Sequence, residues 1–266
     1  MIEILVVAEA DADRSMACGL ADRVVMQSAP EWWDREEGTR SEHLNSARRW
    51  IGLESGSAFT SWRDLKRVAE STRLPKRLPR FLGHSGTGNT GFDYASGEKA
   101  LLLADALVPS AEERHVLLVR DLDNQPEPRR RSLEHLRERF SRKFSITLAL
   151  PEPNREAWLL AGFVAKSAGE TEAHAEVRSE LGFDPCQHSH RLSADMGNAP
   201  KSAKKVFSQL LKMGDTADRS AERRAREEDC WSQPGLGHLR DRGNRNGLSA
   251  YLNEAERQLA PAIRGQ

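Results

Sequence analysis

The sequence predicts an α/β protein built around a parallel sheet, and two observations support this. Three short apolar runs predict buried strands, and each is followed by polar residues and a helical pattern. The runs are continuous in Val, Ile and Leu rather than alternating, which is typical of parallel strands buried on both faces. We therefore expect a parallel sheet with helices on both faces.

The predicted elements follow in chain order. The strands cover 2–8, 115–120 and 145–150. Helical patterns cover 13–26, 98–107, 129–143, 154–166, 170–181, 201–213 and 248–258. Strands and helices alternate after residue 98, which is the order of a parallel sheet with helical crossovers.

The interval 28–97 is too long for a simple connection, because connections in compact domains are short. It holds four of the six tryptophans and a glycine-rich stretch at 83–91, so we expect an insertion or lid. The predicted core comprises 1–27 and 98–183. Residues 184–266 are polar and helical, which favours a C-terminal appendage.

The composition of the chain excludes several classes of protein. The chain has 266 residues with 40 basic and 40 acidic side chains, which excludes a generally basic nucleic-acid sleeve and an acidic tail. It contains no apolar run of the roughly 18 residues that a membrane span needs. The N-terminus lacks the features of a signal peptide, and the three cysteines are too widely spaced for a disulfide framework. We expect a cytoplasmic protein with no membrane association.

Carboxylates follow each predicted strand. Glu9 follows the first strand, with Asp13 one helical turn later, and Asp121 and Asp123 follow the second. Ligand-binding and active sites of open α/β sheets lie just beyond the carboxyl ends of the strands. Acids brought together there need cations, and Mg²⁺ or Mn²⁺ prefer oxygen ligands. The joint pattern predicts a metal site, although each acid alone is typical of a helix cap or a solvated turn.

The third strand is followed by Pro151, Glu152 and then Glu156 on the next predicted helix. Either Glu152 or Glu156 could complete a second metal site or act as general base to a metal-bound water. Two ions about 3.5–4 Å apart can orient water and stabilise the leaving oxygen during phosphodiester cleavage.

These residues resemble a known family. A strand ending in Glu9 and a later strand ending in Asp121-Leu122-Asp123 resemble the TOPRIM domain of topoisomerases, primases and related nucleases. Glu9 with Asp13 resembles the version in OLD (overcoming lysogenization defect) nucleases. The segment 151–160, PEPNREAWLL, is similar to small stand-alone TOPRIM-like proteins of bacterial defence loci. Ala10 departs from the pattern, because a glycine often follows the glutamate.

The resemblance covers 1–27 and roughly 98–210. It implies a sheet of about four parallel strands and cleavage of DNA or RNA that depends on two Mg²⁺ or Mn²⁺ ions. It implies metal ligands and catalytic groups at Glu9, Asp121 and Asp123, a further metal ligand at Asp13, and a lysine near the scissile phosphate. Lys204 and Lys205 are the candidates for that lysine, and Lys201 is a candidate for nucleic-acid binding.

Other features are less specific. Arg129, Arg130 and Arg131 open a basic helix, which predicts either a solvated face or a track for the phosphate backbone. Cys186, His188 and His190 form a cluster that could bind zinc with Cys230 or His238, or place His188 or His190 against substrate, but the absence of a C-x-x-C pair favours a plain polar loop. The stretch 83–91 lacks the G-K-[ST] ending of an ATP-binding loop, so an ATPase would be a separate protein.

The sequence thus predicts a metal-dependent nuclease, an effector of antiviral (anti-phage) defence that works with a separate ATPase or sensor subunit or as a homodimer. Two alternatives remain open. The chain could be a non-catalytic interaction subunit that keeps the fold, or a metal-dependent phosphatase or nucleotide hydrolase.

Overall fold

The computed structural model describes residues 1–29, 31–34, 39–72, 92–107, 114–195, 199–212 and 220–265. Within these residues the strands are β1 Ile2–Ala8, β2 Arg48–Ile51, β3 Thr60–Ser61, β4 His115–Val119 and β5 Ser145–Ala149. The α-helices are α1 Asp11–Gln27, α2 Arg40–Ala47, α3 Leu65–Ser71, α4 Phe92–Leu107, α5 Pro126–Phe140, α6 Arg155–Gly162, α7 Ala168–Leu181, α8 Ala203–Leu211, α9 Ser220–Ser232, α10 Leu236–Arg242 and α11 Leu248–Arg264. The glycine-rich stretch 83–91 lies outside the described residues.

The five strands form one parallel sheet, which confirms the predicted α/β class. The order is β2-β1-β4-β5, and β3 pairs with the second half of β1 on the edge that β2 occupies along the first half. In the register, Val6 of β1 lies beside Leu117 of β4, which lies beside Thr147 of β5. β1 and β4 are therefore neighbours, and their carboxyl ends reach the same edge of the sheet.

The interval 28–97 is not simply an insertion outside the sheet, because it supplies β2 and β3. The sequence Arg48-Arg49-Trp50-Ile51 lacks the continuous apolar run by which the other strands were identified. β2 lies at the edge of the sheet and pairs with β1 along one side. Edge strands commonly carry charged side chains. β3 has two residues, too few for any periodicity to indicate a strand.

Helix boundaries shift from the predicted positions for local reasons. α5 begins at Pro126 rather than at residue 129, because proline fits the first turn, where its missing N–H has no partner to lose. α6 ends at Gly162 rather than at residue 166, because Phe163 is extended. α11 continues to Arg264 through Pro261, beyond the predicted end at 258.

The chain divides into two compact units that differ from the predicted domains. The first contains Met1–Arg120, Glu127–Ala149 and Glu254–Gln266, and the second contains Asp121–Pro126 and Leu150–Asn253. The predicted boundary at 183/184 falls inside the second unit. There α6 packs against α8, α9 and α10, so these helices share one core with the segments that follow β4 and β5. In that core the ring of Trp158 stacks on Tyr251 with a centroid distance of 5.4 Å.

None of the helices in the described part of the chain combines the length and hydropathy of a membrane span. The three cysteines are free and buried.

Candidate functional site

The two segments that follow β4 and β5 lie side by side in the second unit. The backbone N–H of Leu122 donates to the carbonyl of Pro151 at 3.0 Å, and that of Asp123 donates to the carbonyl of Pro153 at 2.6 Å. Asp123 has a φ of 49°, a left-handed conformation that Asp and Asn accept more readily than other side chains. The segment bearing Asp121 and Asp123 therefore runs beside the one bearing Glu152.

Two buried oxygen atoms at the start of α6 have no hydrogen-bond donor among the described residues. They are Oδ1 of Asn154, whose residue is 1% exposed, and Oε2 of Glu156, whose residue is 7% exposed. Asn154 is the residue before the helix, yet its side chain makes no capping hydrogen bond. Leaving a buried acceptor unsatisfied costs about 1–3 kcal/mol. A cation bound here would remove that cost.

Asn246 positions the Glu152 segment and α6. Its carbonyl accepts hydrogen bonds from the backbone of Glu152 at 2.9 Å and from the indole of Trp158 at 2.8 Å. Its side-chain amide donates to the carbonyl of Ala157 and to Oγ of Ser189, each at 2.9 Å. The sequence predicts this region only as part of the C-terminal appendage, and the glycines and asparagines around Asn246 are the one local indication of a specific turn.

In the first unit, Glu9 lies just beyond β1 and is paired with an arginine. Its Oε1 is 3.0 Å from Nη1 of Arg120, the residue that follows β4. Oγ of Ser61 and the backbone N–H of Trp62 bind the carbonyls of Glu9 and Ala8, which places β3 against this end of β1. Glu9 therefore has a cationic partner within the protein itself.

Arg120 joins a charged network at this edge of the first unit. Its Nε donates to Oδ1 of Asp93 on α4 at 2.9 Å, and Nε of Arg129 is 3.3 Å from Oδ2 of the same carboxylate. The Arg120 guanidinium lies over the ring of Trp62, 5.6 Å from its centroid. Arg120, Asp93 and Trp62 were not predicted as parts of a site, although Arg120 directly precedes the Asp121-Leu122-Asp123 motif.

Asp13, the other predicted ligand of the first unit, is buried and acts as a backbone acceptor. Its Oδ2 accepts a hydrogen bond from the backbone N–H of Ala10 at 2.9 Å. This bond satisfies a donor at the start of α1, as an acidic residue in the first helical turn commonly does. Asp13 therefore has a structural role at the start of α1 that does not depend on a metal.

The predicted basic residues occupy different places. Arg129 is tied to Asp93, Arg130 is partly exposed, and the side chain of Arg131 is 73% exposed with Glu127 at 3.7 Å. In the second unit, Lys201 and Lys204 are exposed, and Lys205 is partly buried in the first turn of α8.

The predicted zinc cluster takes a different form. Cys186 is fully buried, and its neighbours in a possible ligand group are His174 and Asp184. His188 and His190 face each other at a ring-centroid distance of 5.9 Å, while Sγ of Cys230 donates to the carbonyl of Arg226. Burial raises the pKa of the Cys186 thiol well above its ordinary value.

Compared with known proteins, the chain matches no family model, no curated protein and no solved structure.

Proposed function

We propose that this protein is a TOPRIM-like nuclease that hydrolyses phosphodiester bonds with Mg²⁺ or Mn²⁺ and acts as an effector of bacterial antiviral defence. One observation carries the proposal. The segments after β4 and β5 run side by side with Asp121, Asp123 and Glu152 on them, and two buried acceptor oxygens without donors follow directly at Asn154 and Glu156. Among the described residues, these acids do not form a group of three whose oxygens lie within 4.8 Å of one another. The proposal is supported by the pair of unsatisfied buried acceptors, which suits a hard divalent cation.

Each residue of the second unit has a separate role in this proposal. Asp121, Asp123 and Glu152 hold the metal, and Glu156 completes its site or accepts the proton of the attacking water. Bound Mg²⁺ or Mn²⁺ would orient that water and stabilise charge on the leaving oxygen. The hydrogen bonds that Asn246 makes to the Glu152 backbone and to α6 hold these ligands in position.

Within the first unit, taken by itself, Glu9 and Arg120 offer a place for a phosphate group. Nη1 of Arg120 faces Glu9 and Nε faces Asp93, while Nη2 makes no hydrogen bond to a described residue. An arginine can offer that donor to a phosphate oxygen and offset charge that develops during cleavage. Glu9 and Asp13 remain proposed metal ligands, and Lys204 and Lys205 remain proposed phosphate contacts.

Nucleic acid is the proposed substrate, with Arg130, Arg131 and Lys201 as contacts to its backbone. A separate ATPase or sensor subunit is the proposed partner, and a homodimer is the alternative. The net charge of zero supports a partner that delivers the substrate, since the protein has no overall attraction for polyanions.

The ion pair of Glu9 favours a second candidate function. Because Arg120 neutralises the carboxylate at 3.0 Å, Glu9 has a structural role that needs no metal. A non-catalytic interaction subunit would keep this pair to hold the ends of β1 and β4. In that case the acids after β4 would be dispensable for the activity of a larger complex.

The test is cleavage of supercoiled plasmid, single-stranded DNA and total RNA by the purified full chain with Mg²⁺, Mn²⁺ or EDTA. Asp121→Asn, Glu156→Gln and Glu9→Gln are assayed beside the unchanged protein. We expect metal-dependent cleavage that falls by at least about 100-fold in Asp121→Asn and Glu156→Gln, the loss typical of removing a group that assists the chemistry.

Two exposed acids provide matched controls. Asp11, with a side chain 72% exposed near Glu9, and Glu127, 67% exposed near the Asp121 motif, have no role in the proposal. Asp11→Asn and Glu127→Gln should cleave normally. Release of phosphate from nucleotides with intact plasmid and RNA would indicate the phosphatase alternative. Absence of both activities, in a chain that binds no Mn²⁺, would favour the interaction subunit.

A further inference from the structure

Three possible metal-ligating side chains of different chemistry meet in the second unit, apart from the acids assigned to the nuclease. They are His174 on α7 and, from the turn that follows, Asp184 and Cys186. Their donor atoms all lie within 4.8 Å of one another, and Nε2 of His174 is 3.1 Å from Oδ1 of Asp184.

The chain reaches this arrangement through the end of α7. Gly182 adopts a left-handed conformation with a φ of 72°, which ends the helix and reverses the chain. The reversal brings residues 184–186 back toward the last turns of the helix. His174, ten residues before Asp184, then faces the turn without any long excursion of the chain.

The separations suit tetrahedral coordination. With metal–ligand bonds of the usual lengths, a nitrogen and an oxygen on one zinc ion lie about 3.3 Å apart, and a nitrogen and a sulfur about 3.6 Å apart. Nε2 of His174 and Oδ1 of Asp184 form a hydrogen bond at 3.1 Å, and a zinc ion bound to both atoms would replace this bond at a similar separation. Sγ of Cys186 lies within 4.8 Å of a ligand atom of each of the other two residues.

The surrounding protein buries one of these ligands and orients another. Cys186 is 0% exposed. The backbone N–H of Cys186 donates to Oδ1 of Asp184 at 2.9 Å, which orients the carboxylate. A carboxylate has about four lone-pair positions, so backbone donors leave others for a metal. Such outer hydrogen bonds are a regular feature of protein metal sites.

We propose that His174, Asp184 and Cys186 bind a zinc ion, with a solvent molecule as the fourth ligand. Mixed nitrogen, oxygen and sulfur donors favour zinc over Mg²⁺, which prefers oxygen alone. The side chain of His174 is 28% exposed, so the ion and its solvent ligand can be reached from that side. The bound ion links α7 to the turn after it and stabilises the second unit, independently of nuclease activity.

The experiment measures zinc in the full chain. Protein purified without chelator is dialysed against metal-free buffer containing a phosphine reductant, and its zinc is counted by mass spectrometry. Zinc is then replaced by Co²⁺, whose absorption reports thiolate ligation and tetrahedral geometry. We expect one zinc per chain, a sulfur-to-cobalt charge-transfer band, and a rise in melting temperature when Zn²⁺ is added to metal-free protein.

Variants separate the ligands from their neighbours. His174→Asn and Cys186→Ser should bind zinc at least about 100-fold more weakly, as loss of a ligand costs no less than loss of an outer partner. Because Cys186 is fully buried, the partly exposed His174 provides the variant whose fold is easier to preserve. His188→Asn and Cys230→Ala are the matched controls and should bind normally.

The proposal is overturned if zinc is lost on dialysis from the unchanged protein. It is also overturned if the cobalt spectrum lacks the thiolate band, or if His174→Asn binds zinc as tightly as the His188→Asn control while both remain folded by circular dichroism.

Discussion

Asp123 combines a proposed metal ligand with a backbone conformation that few side chains accept, and substitutions can separate the two. Its φ of 49° costs most residues about 1–2 kcal/mol. Asp123→Asn should keep the free energy of unfolding within about 0.5 kcal/mol, since asparagine accepts this region. Asp123→Ala should lose about 1 kcal/mol. Urea unfolding measures both.

The proposed metal site predicts a different result for the cleavage activity of the same two variants. Both should lose metal-dependent cleavage, since neither asparagine nor alanine offers a carboxylate. Full cleavage by Asp123→Asn would remove Asp123 from the metal site and leave its turn conformation as its only role.

Glu170 shows how strongly a buried ion pair affects stability in the second unit. Its carboxylate receives two hydrogen bonds from Arg226, at 2.8 and 2.9 Å, and the two side chains are 9% and 8% exposed. Glu170→Gln should lower the free energy of unfolding by about 3 kcal/mol, because it removes the closer of the two carboxylates beside a buried guanidinium and leaves only Asp229, at 3.9 Å. Glu172, 67% exposed beside Lys212, is the control, and Glu172→Gln should change stability by less than about 1 kcal/mol.

The Glu170 pair also predicts a pH dependence. Burial alone would raise the pKa of Glu170, but hydrogen bonds from Arg226 and the backbone of Lys166 hold it below the ordinary 4.5. A carboxylate with a lowered pKa in the folded state stabilises the fold above its unfolded pKa and loses this effect as the pH falls through the folded value. The stability gap between the unchanged protein and Glu170→Gln should therefore be constant from pH 7 to about pH 5 and shrink below. A gap that widens on acidification would contradict this assignment.

At the scale of elements, the close approach of α6 and α9 depends on one glycine. A Cβ at Gly162 would lie 1.7 Å from the carbonyl oxygen of Cys230, a distance no packing adjustment of side chains can relieve. Gly162→Ala should destabilise the protein by about 3 kcal/mol, at the upper end of overpacking effects. Gly169→Ala on α7 is the control, since the nearest atoms are 3.8 Å away. It should stabilise slightly, by about 0.5 kcal/mol, and equal effects of the two changes would contradict the packing argument.

Elements that carry their own local signal were predictable from the sequence. β1 has continuous burial from Ile4 to Ala8, so hydropathy alone located it. β2 and β3 were not predictable, because their strand conformation comes from pairing with β1 rather than from their own residues. α5 also carries its own local pattern. Its amphipathic sequence predicts the helix, although the first turn begins earlier than predicted, at Pro126.

At the scale of the whole molecule, contacts between distant positions were beyond prediction. The sequence indicated Glu9 and the Asp121 motif because carboxylates after strands form a short local pattern. It could not indicate that Asp93 would hold Arg120, 27 residues away, or that Asn246 would position Glu152. These pairs depend on the tertiary fold, and nothing in the neighbouring residues of either partner signals the other.

The balance of charge over the whole chain predicts how nucleic acid should bind. With 40 basic and 40 acidic residues, overall attraction is absent, so affinity depends on where the cations lie. Replacing both Arg130 and Arg131 by alanine should lower the slope of log affinity against log salt by about 2 for duplex DNA, since each phosphate contact contributes about 0.9. Fluorescence anisotropy at several salt concentrations measures this slope.

The control for this prediction removes the same charge elsewhere. Lys66, with an 80% exposed side chain, and the exposed Arg178 lie outside the proposed track. The pair Lys66→Ala and Arg178→Ala also lowers the net charge by two, so only the position of the lost charges differs. Its salt slope should match that of the unchanged protein, because a side chain that contacts no phosphate releases no counterion from the DNA. Equal losses of slope in both double variants would mean that the protein binds through its general charge, and the basic start of α5 would then have no special role in holding the substrate.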